Sequence, residues 1–413
     1  MKPLSLASLL AYGLFGLPLA MVALPVYVYV PQLYAERFGL SLASIGSALL
    51  LARVADALLD PVLGWWIDGS PRDDAFRRFV LLATPFLACG FIALFHPPAQ
   101  AAGLPMVWFL GALLVVYLGF SMATISYQSW GAALSQAQSQ RTRLTATREG
   151  CGLIGVVIAA ALPALAPAQW LTLAFLLALV VSALLLVRRA PLPPRVPRPR
   201  EGWQSLLMPF RSKLFRWLFA VFLVNGIAAA IPATLFLFFA KDGLQLAQYA
   251  GLFLVLYFVA AALSMPAWAM LARRFGEARA WIAAMLLAVA AFIGAYWLNA
   301  GDAAAFGLIC VASGLTLGAD LALPPALLAA VIGHAGHSGQ REGVYFGAWS
   351  WATKMNLALA AGVALPLLQF LGYAPGNHDT SAVEALRVGY AVVPCGLKLL
   401  AAALIWRAPL RFI

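Results

Sequence analysis

Charge is what this chain has least of. Only 10% of its 413 residues are Asp, Glu, Lys or Arg, against 63% hydrophobic ones. A water-soluble chain carries about 25% charged residues to cover its surface, so a soluble globular fold is excluded. Acids are scarcest, 15 against 27 Lys and Arg. Cysteine and histidine number four each. Cys89, Cys151, Cys310 and Cys395 are far apart and each falls inside an apolar run. That excludes a disulfide framework or a paired-cysteine metal site. No His-Glu-x-x-His or Gly-x-Ser-x-Gly occurs, and no polar stretch is large enough to house a cofactor. The common enzyme signatures are therefore missing.

What the chain has in abundance is long apolar runs, with a mean hydropathy of +0.90. Windows of about 20 apolar residues, the length that crosses a bilayer as a helix, predict twelve spans. They cover 4–30, 42–67, 78–96, 105–133, 145–165, 169–187, 217–240, 249–272, 279–298, 304–332, 343–371 and 385–406. Runs this long predict an all-α membrane protein rather than a barrel of short alternating strands. Between the sixth and seventh spans the stretch from Arg188 to Arg200 is rich in Pro and Arg. It can be neither helical nor buried. It predicts a six-helix bundle over 1–187, a cytoplasmic linker over 188–216 and a second six-helix bundle over 217–413. The first span follows Lys2 as the apolar core of a signal peptide would. Its length and the many later spans predict a retained helix. Pro18, Pro25, Pro163, Pro232, Pro266, Pro324 and Pro325 lie inside spans, where each can kink a helix or free a carbonyl.

The net charge of +12 is explained by placement. Lys2, Arg72, Arg77, Arg78, Arg141, Arg143, the run from Arg188 to Arg216, Arg273, Arg274, Arg279, Arg341, Arg407 and Arg411 all fall on one predicted side. The other keeps little beyond Arg37, Lys241 and Arg387. That asymmetry orients membrane proteins with basic loops inside. It predicts cytoplasmic termini, and it requires no nucleic-acid partner.

The second span breaks the apolar rule. It reads Leu-Ala-Arg53-Val-Ala-Asp56-Ala-Leu-Leu-Asp60-Pro-Val-Leu-Gly64. Each charge at mid-bilayer costs about 2.5–3.5 kcal/mol, while the eleven Leu, Ile and Val between Leu42 and Ile67 return about 0.3–0.6 kcal/mol apiece. The charges outweigh the apolar residues, so the helix needs partners for them. At 100° per residue Arg53, Asp56 and Asp60 fall within an arc of about 60° and share one face. Two carboxylates one turn apart bind Na⁺ through hard oxygens or share a proton. No other metal is expected. Asp320, in Gly318-Ala-Asp-Leu-Ala-Leu-Pro324-Pro325, is a further intramembrane acid, either a second ion or proton site, a solute contact, or a hydrogen-bonding partner for the opposite bundle. His334 and His337 are read as a solvated loop. Arg53, Arg148 and Lys354 against Asp56, Asp60, Glu149 and Asp320 leave one negative charge in excess, which Lys398 would cancel.

Three motifs carry a resemblance. The first is Arg53-x-x-Asp56-x-x-x-Asp60-Pro-x-x-Gly64. The second is Ser126-Tyr-Gln-Ser-Trp130-Gly-Ala-Ala-Leu-Ser135 with Arg141-Thr-Arg143-Leu-Thr-Ala-Thr-Arg148-Glu149. The third is Arg341-Glu342-Gly343-Val-Tyr345-Phe346-Gly347-Ala-Trp349 with Lys354. Together they resemble the glycoside–pentoside–hexuronide:cation symporters, the melibiose permease-like branch of the major facilitator superfamily, in order and along essentially the whole chain. The resemblance implies twelve helices in two six-helix bundles. It implies cation binding at Asp56, Asp60 and Ser121 with Lys354 nearby, and Arg148 near the solute floor. Arg53, Tyr127, Gln128, Trp130, Glu149 and Asp320 are further candidates for solute contact. Where such proteins hold sugar hydroxyls with carboxylates, the matching positions here are Pro18 and Thr124 with apolar Leu17 and Ile125. That departure implies a solute less polar than a sugar, or amphiphilic.

The expectation is a monomeric secondary transporter of the inner membrane, coupling Na⁺ or H⁺ to symport of an organic solute, with no cofactor and no covalent chemistry. Its alternatives are a transporter-shaped binding or sensing protein, or an exporter or exchanger of the same fold.

Overall fold

The computed structural model describes residues 4–70, 74–98, 103–134, 138–165, 167–193, 202–370 and 379–412. Arg72, Ser135 and the Arg195, Arg198 and Arg200 of the Pro/Arg segment lie outside them. Among the described residues regular structure is entirely helical. That is the open-chain solution for apolar segments in lipid, because a helix bonds its own backbone groups within the segment.

The first seven helices are α1 (Leu6–Gly13), α2 (Gly16–Phe38), α3 (Leu42–Asp68), α4 (Ala75–Phe95), α5 (Pro105–Leu134), α6 (Gln138–Leu165) and α7 (Ala168–Arg189). Then come α8 (Lys213–Phe238), α9 (Ala250–Phe275), α10 (Glu277–Phe292), α11 (Ala303–His334), α12 (Glu342–Phe370), α13 (Thr380–Arg387) and α14 (Val393–Arg407). Serine hydroxyls open three of them. Ser5, Ser41 and Ser212 accept from the main-chain N–H of Ser8, Ser44 and Phe215, satisfying donors that a helix start leaves unbonded. Gly39, at φ 66°, ends α2 in the left-handed conformation that glycine adopts without steric cost.

Among the described residues ten segments are long and apolar enough to cross a membrane. The predicted spans 42–67 and 343–371 are not among those ten, yet both are helical, as α3 and α12. Both carry charged residues, Arg53, Asp56, Asp60 and Asp68 on α3 and Glu342 and Lys354 on α12. The first predicted span is broken into α1 and α2 at Leu14 and Phe15. Pro18 has no N–H to give the Leu14 carbonyl, which accepts instead from Leu17 N at 3.1 Å. The last span is likewise widened by a π turn at Val388–Val392, just ahead of Pro394.

The chain divides into two compact units, Met1–Pro209 with Ile332–Trp351, and Phe210–Val331 with Ala352–Ile413. In unit 1, α4 packs along α5, α2 along α6 and α3 along α5. Phe91 stacks on Phe95 and Phe175 at 4.4 and 4.2 Å between ring centres. Ile332–Trp351 belongs to unit 1 because the start of α12 crosses α3 backbone to backbone. A β-carbon on Gly343 would strike the Gly64 carbonyl, and one on Gly347 would lie 2.6 Å from the Asp60 carbonyl oxygen. At the same crossing Asp68 Oδ1 accepts from Gly343 N at 2.8 Å and Oδ2 from Val344 N at 2.7 Å. One carboxylate on α3 thus caps the start of α12. The Pro/Arg segment is followed by a short 3₁₀ stretch, Trp203–Arg211, where the Trp203 indole stacks on Trp65 of α3 at 4.5 Å and 20°.

In unit 2, α8 packs on α14, and α10 on both α14 and α9. An aromatic core joins them, with Phe239 flat on Tyr390 at 4.1 Å and Phe306 beside both.

Candidate functional site

The charged face of α3 is folded inward. Asp56 is 4% exposed and Asp60 0%, with Arg53 half-buried one turn earlier. Carboxylates so enclosed need donors or cations. Ser121 on α5 supplies one, its hydroxyl donating to Asp56 Oδ1 at 2.6 Å. Pro61 removes the amide that would have bonded the Ala57 carbonyl, so a main-chain oxygen next to Asp56 lacks its helical partner. Carboxylate, hydroxyl and carbonyl oxygens are the ligands hard monovalent cations take. Among the described residues no group of three His, Cys, Asp or Glu is assembled for a transition metal.

Six residues along α5 from Ser121, about 9 Å by helical rise, Tyr127 meets the break between α1 and α2. Its hydroxyl donates to the carbonyls of Tyr12 and Gly13 at 2.6 and 3.2 Å, and Tyr12 returns a bond to the Tyr127 carbonyl at 3.0 Å. Tyr127 is 1% exposed. Read from sequence as a solute contact, it is here a clamp on the interrupted helix. Trp130 is wholly buried with its indole N–H spent on the Pro191 carbonyl at 2.9 Å, so it ties α5 to the chain leaving α7. Gln128 is half-buried.

On α6, Arg148 donates to Glu149 Oε1 through Nε at 2.9 Å and Nη2 at 2.5 Å. The arginine side chain is 6% exposed and the glutamate 25%, so the pair presents its carboxylate end. The turn carrying them is pressed against the α1–α2 break, where a β-carbon on Gly16 would lie 2.6 Å from the Arg148 carbonyl.

Lys354 is buried on the part of α12 that belongs to unit 2. Asp320 is also in unit 2, on α11, and bonds to three side chains that sequence reasoning did not join to it. Lys398 of α14 lies 2.7 Å from Oδ2, while Trp281 of α10 and Asn225 of α8 donate to Oδ1 at 2.7 and 3.2 Å. The only sequence signal was polar residues inside apolar spans. Lys398 neutralises Asp320, and within unit 1 Arg53 and Arg148 stand against Asp56, Asp60 and Glu149, one negative charge in excess. His337, read as solvated, bonds through Nδ1 to the Tyr345 hydroxyl at 3.0 Å.

Comparison with known proteins fits this arrangement. The family described as MFS/sugar transport protein matches residues 9–411. An isoprimeverose transporter of Lactiplantibacillus pentosus is 24% identical over 92% of this chain and 84% of its own. A sodium-dependent lysophosphatidylcholine symporter of Gallus gallus is 22% identical over 96% of this chain and 85% of its own. Among solved structures, a bacterial homologue of the iron transporter ferroportin in an outward-facing state superposes with a TM-score of 0.74. It is 18% identical and covers 98% of this chain and 99% of that one, a likeness of fold alone. A match from the first helix to the last, on a multi-pass helical membrane protein with two buried acids on α3, leads to one conclusion: the chain belongs to the MFS/sugar transport family and is a secondary transporter of the major facilitator fold.

Proposed function

We propose that this transporter couples the inward flow of a monovalent cation, Na⁺ or H⁺, to symport of an organic solute. The observation that carries the reading is the pair Asp56 and Asp60, 4% and 0% exposed on one face of α3, with the Ser121 hydroxyl already turned to the first of them at 2.6 Å. Keeping two acids at membrane depth costs several kcal/mol, which an arriving cation offsets. The family resemblance implies Lys354 as the counter-charge to these acids. The coupling ion is the only cofactor required, and one chain carries every group named, so a monomer suffices. Basic loops on one side support cytoplasmic termini in the inner membrane.

The solute is amphiphilic or less polar than a sugar. Supporting this, Leu17, Pro18 and Thr124 stand where acids would grip a sugar, and one relative bears lysophosphatidylcholine in its name. Arg148, Glu149, Gln128 and Arg53 are the polar contacts proposed in unit 1.

Thermal unfolding of purified protein, titrated with NaCl against choline chloride and across pH, tests the coupling site. Ligand binding to the folded state stabilises by about 2.7 kcal/mol at one hundred times Kd. The wild type should gain stability with Na⁺ or change with pH, and Asp56→Asn should lose that response. Identical responses in wild type and Asp56→Asn would sink the assignment.

A further inference from the structure

The stretch after the Pro/Arg segment has a surface that packing within the chain does not explain. Trp203–Arg211 is a 3₁₀ element, and none of the ten membrane-crossing segments includes it. Yet its outward side chains include Trp203, 61% exposed, and Leu207, 69% exposed. The residues tucked beneath are Ser205 and Pro209, with the Ser205 hydroxyl closing a local turn on the Gly202 carbonyl at 2.9 Å. A hydroxyl is thus turned in while two large apolar groups are turned out, the reverse of what water selects. A segment lying in the plane of a bilayer surface needs that arrangement, because its apolar side chains enter the boundary of the acyl chains. The stack of Trp203 on Trp65 sets its depth, since Trp65 is three residues, about 5 Å of helical rise, from the end of α3. Trp66 beside it is 51% exposed, and tryptophans gather at the membrane–water boundary.

Basic residues follow at once. Arg211, Lys213 and Arg216 are all exposed, and no acid occurs among the described residues from 188 to 216. Arg188 and Arg189 close α7, where the negative end of a helix favours cations. Lys213 and Arg216 have no such reason for their place. They stand in the first turn of α8, which holds no acid, and the positive end of a helix disfavours them. Arg216 gives one of its five donors to the Phe210 carbonyl at 3.4 Å. The opposing charge must come from outside the segment. We propose that residues 203–216 form an interfacial anchor for anionic phospholipid. In it Trp203 and Leu207 enter the acyl-chain boundary, and Arg211, Lys213 and Arg216 hold the lipid phosphates. A zwitterionic headgroup brings its own ammonium to the arginines and lysine, so the anchor selects lipids of net negative charge. The outward apolar pair and the level of Trp65 favour a lipid over a soluble acidic partner. The proposal needs only a membrane-embedded chain, and it is independent of the solute and of the coupling ion.

The test is hydrogen exchange of the full chain in nanodiscs of phosphatidylcholine, alone or with about a third phosphatidylglycerol. In wild type the amides of Trp203–Arg211 should exchange roughly fivefold or more slowly when phosphatidylglycerol is present, the scale of one basic residue at an anionic surface. The triple variant Arg211→Gln, Lys213→Gln, Arg216→Gln should exchange at the phosphatidylcholine rate in both lipids. Leu207→Asn, with every charge kept, should lose at least half of the slowing. The control variant Arg273→Gln, Arg274→Gln, Arg279→Gln removes three exposed charges elsewhere and should keep the slowing in full. Thermal unfolding of each variant establishes that it is folded, and the comparison of lipids in wild type needs no variant. Equal exchange of wild type in the two lipids overturns the proposal. So does a slowing that survives the triple variant or Leu207→Asn, because then the named side chains do not make the anchor. A control variant that loses the effect equally would assign it to general surface charge and also refute the anchor. Slowing by soluble glycerol phosphate in phosphatidylcholine nanodiscs would identify a free anion instead of a lipid, with the same consequence.

Discussion

Asp68 offers the sharpest test of how unit 1 is held together. It is 1% exposed at the end of α3, and its two oxygens take the main-chain N–H of Gly343 and Val344 at 2.8 and 2.7 Å. Asp68→Ala orphans two enclosed amides at about 1–3 kcal/mol each. It also removes a negative charge from a helix start, a loss of up to about 2 kcal/mol in a partly buried setting. The sum is roughly 2–8 kcal/mol. Asp68→Asn keeps one oxygen for one amide and loses the charge, so it should cost about half as much. At about 2–4 °C per kcal/mol, the scale for 150–250 residues, even the lower figure for alanine is a fall of about 4 °C in Tm. Differential scanning fluorimetry in detergent should rank wild type above Asp68→Asn above Asp68→Ala. Hydrogen exchange should show the amides of Gly343 and Val344 losing protection in the same order. An alanine variant with unchanged Tm and unchanged protection of those two amides would refute the reasoning, because then the carboxylate is not what holds the start of α12.

Lys398→Met should destabilise by about 3–5 kcal/mol, since it strands the Asp320 carboxylate in a buried setting. The double variant Lys398→Met with Asp320→Asn should recover most of that loss in chemical or thermal unfolding, and a double variant no better than the single would contradict the pairing. Tyr127→Phe deletes the hydroxyl that clamps the α1–α2 break. Stability should fall by about 1 kcal/mol, while affinity for solute probes stays within twofold in calorimetric titration. A selective loss of affinity would return Tyr127 to the solute site.

The helical spans were legible because crossing lipid demands an apolar run of known length, a requirement hydropathy reads directly. α3 and α12 were legible only in part. The arc shared by Arg53, Asp56 and Asp60 followed from helical geometry, but the crossing at Gly64, Gly343 and Gly347 joins positions hundreds of residues apart, and no spacing announces it. α6 starts at Gln138, ahead of its predicted span, because a polar helical turn carries no hydropathy signal. The break at Leu14 had a signal in Pro18, which lies one turn further on. The π turns at Phe239–Gly243 and Val388–Val392 follow from packing. Ser121 and Asp56 came together as the family resemblance implied, whereas the partners of Asp320 are set by tertiary approach of four helices. Trp130 and Tyr127, read as candidates for solute contact, have their polar tips bonded to backbone carbonyls here. An aromatic residue with a polar tip looks the same in sequence whether that tip meets a ligand or a backbone carbonyl.

The indoles of Trp65 and Trp203, nearly parallel at 4.5 Å, have an optical consequence. Two transition dipoles that close couple, so the near-ultraviolet circular dichroism should carry a paired signal contributed by this stack among the chain's thirteen tryptophans. Replacing Trp203 by Phe would subtract it. Following that signal with time would report, without any added label, when the segment after the Pro/Arg stretch leaves α3 and when it returns.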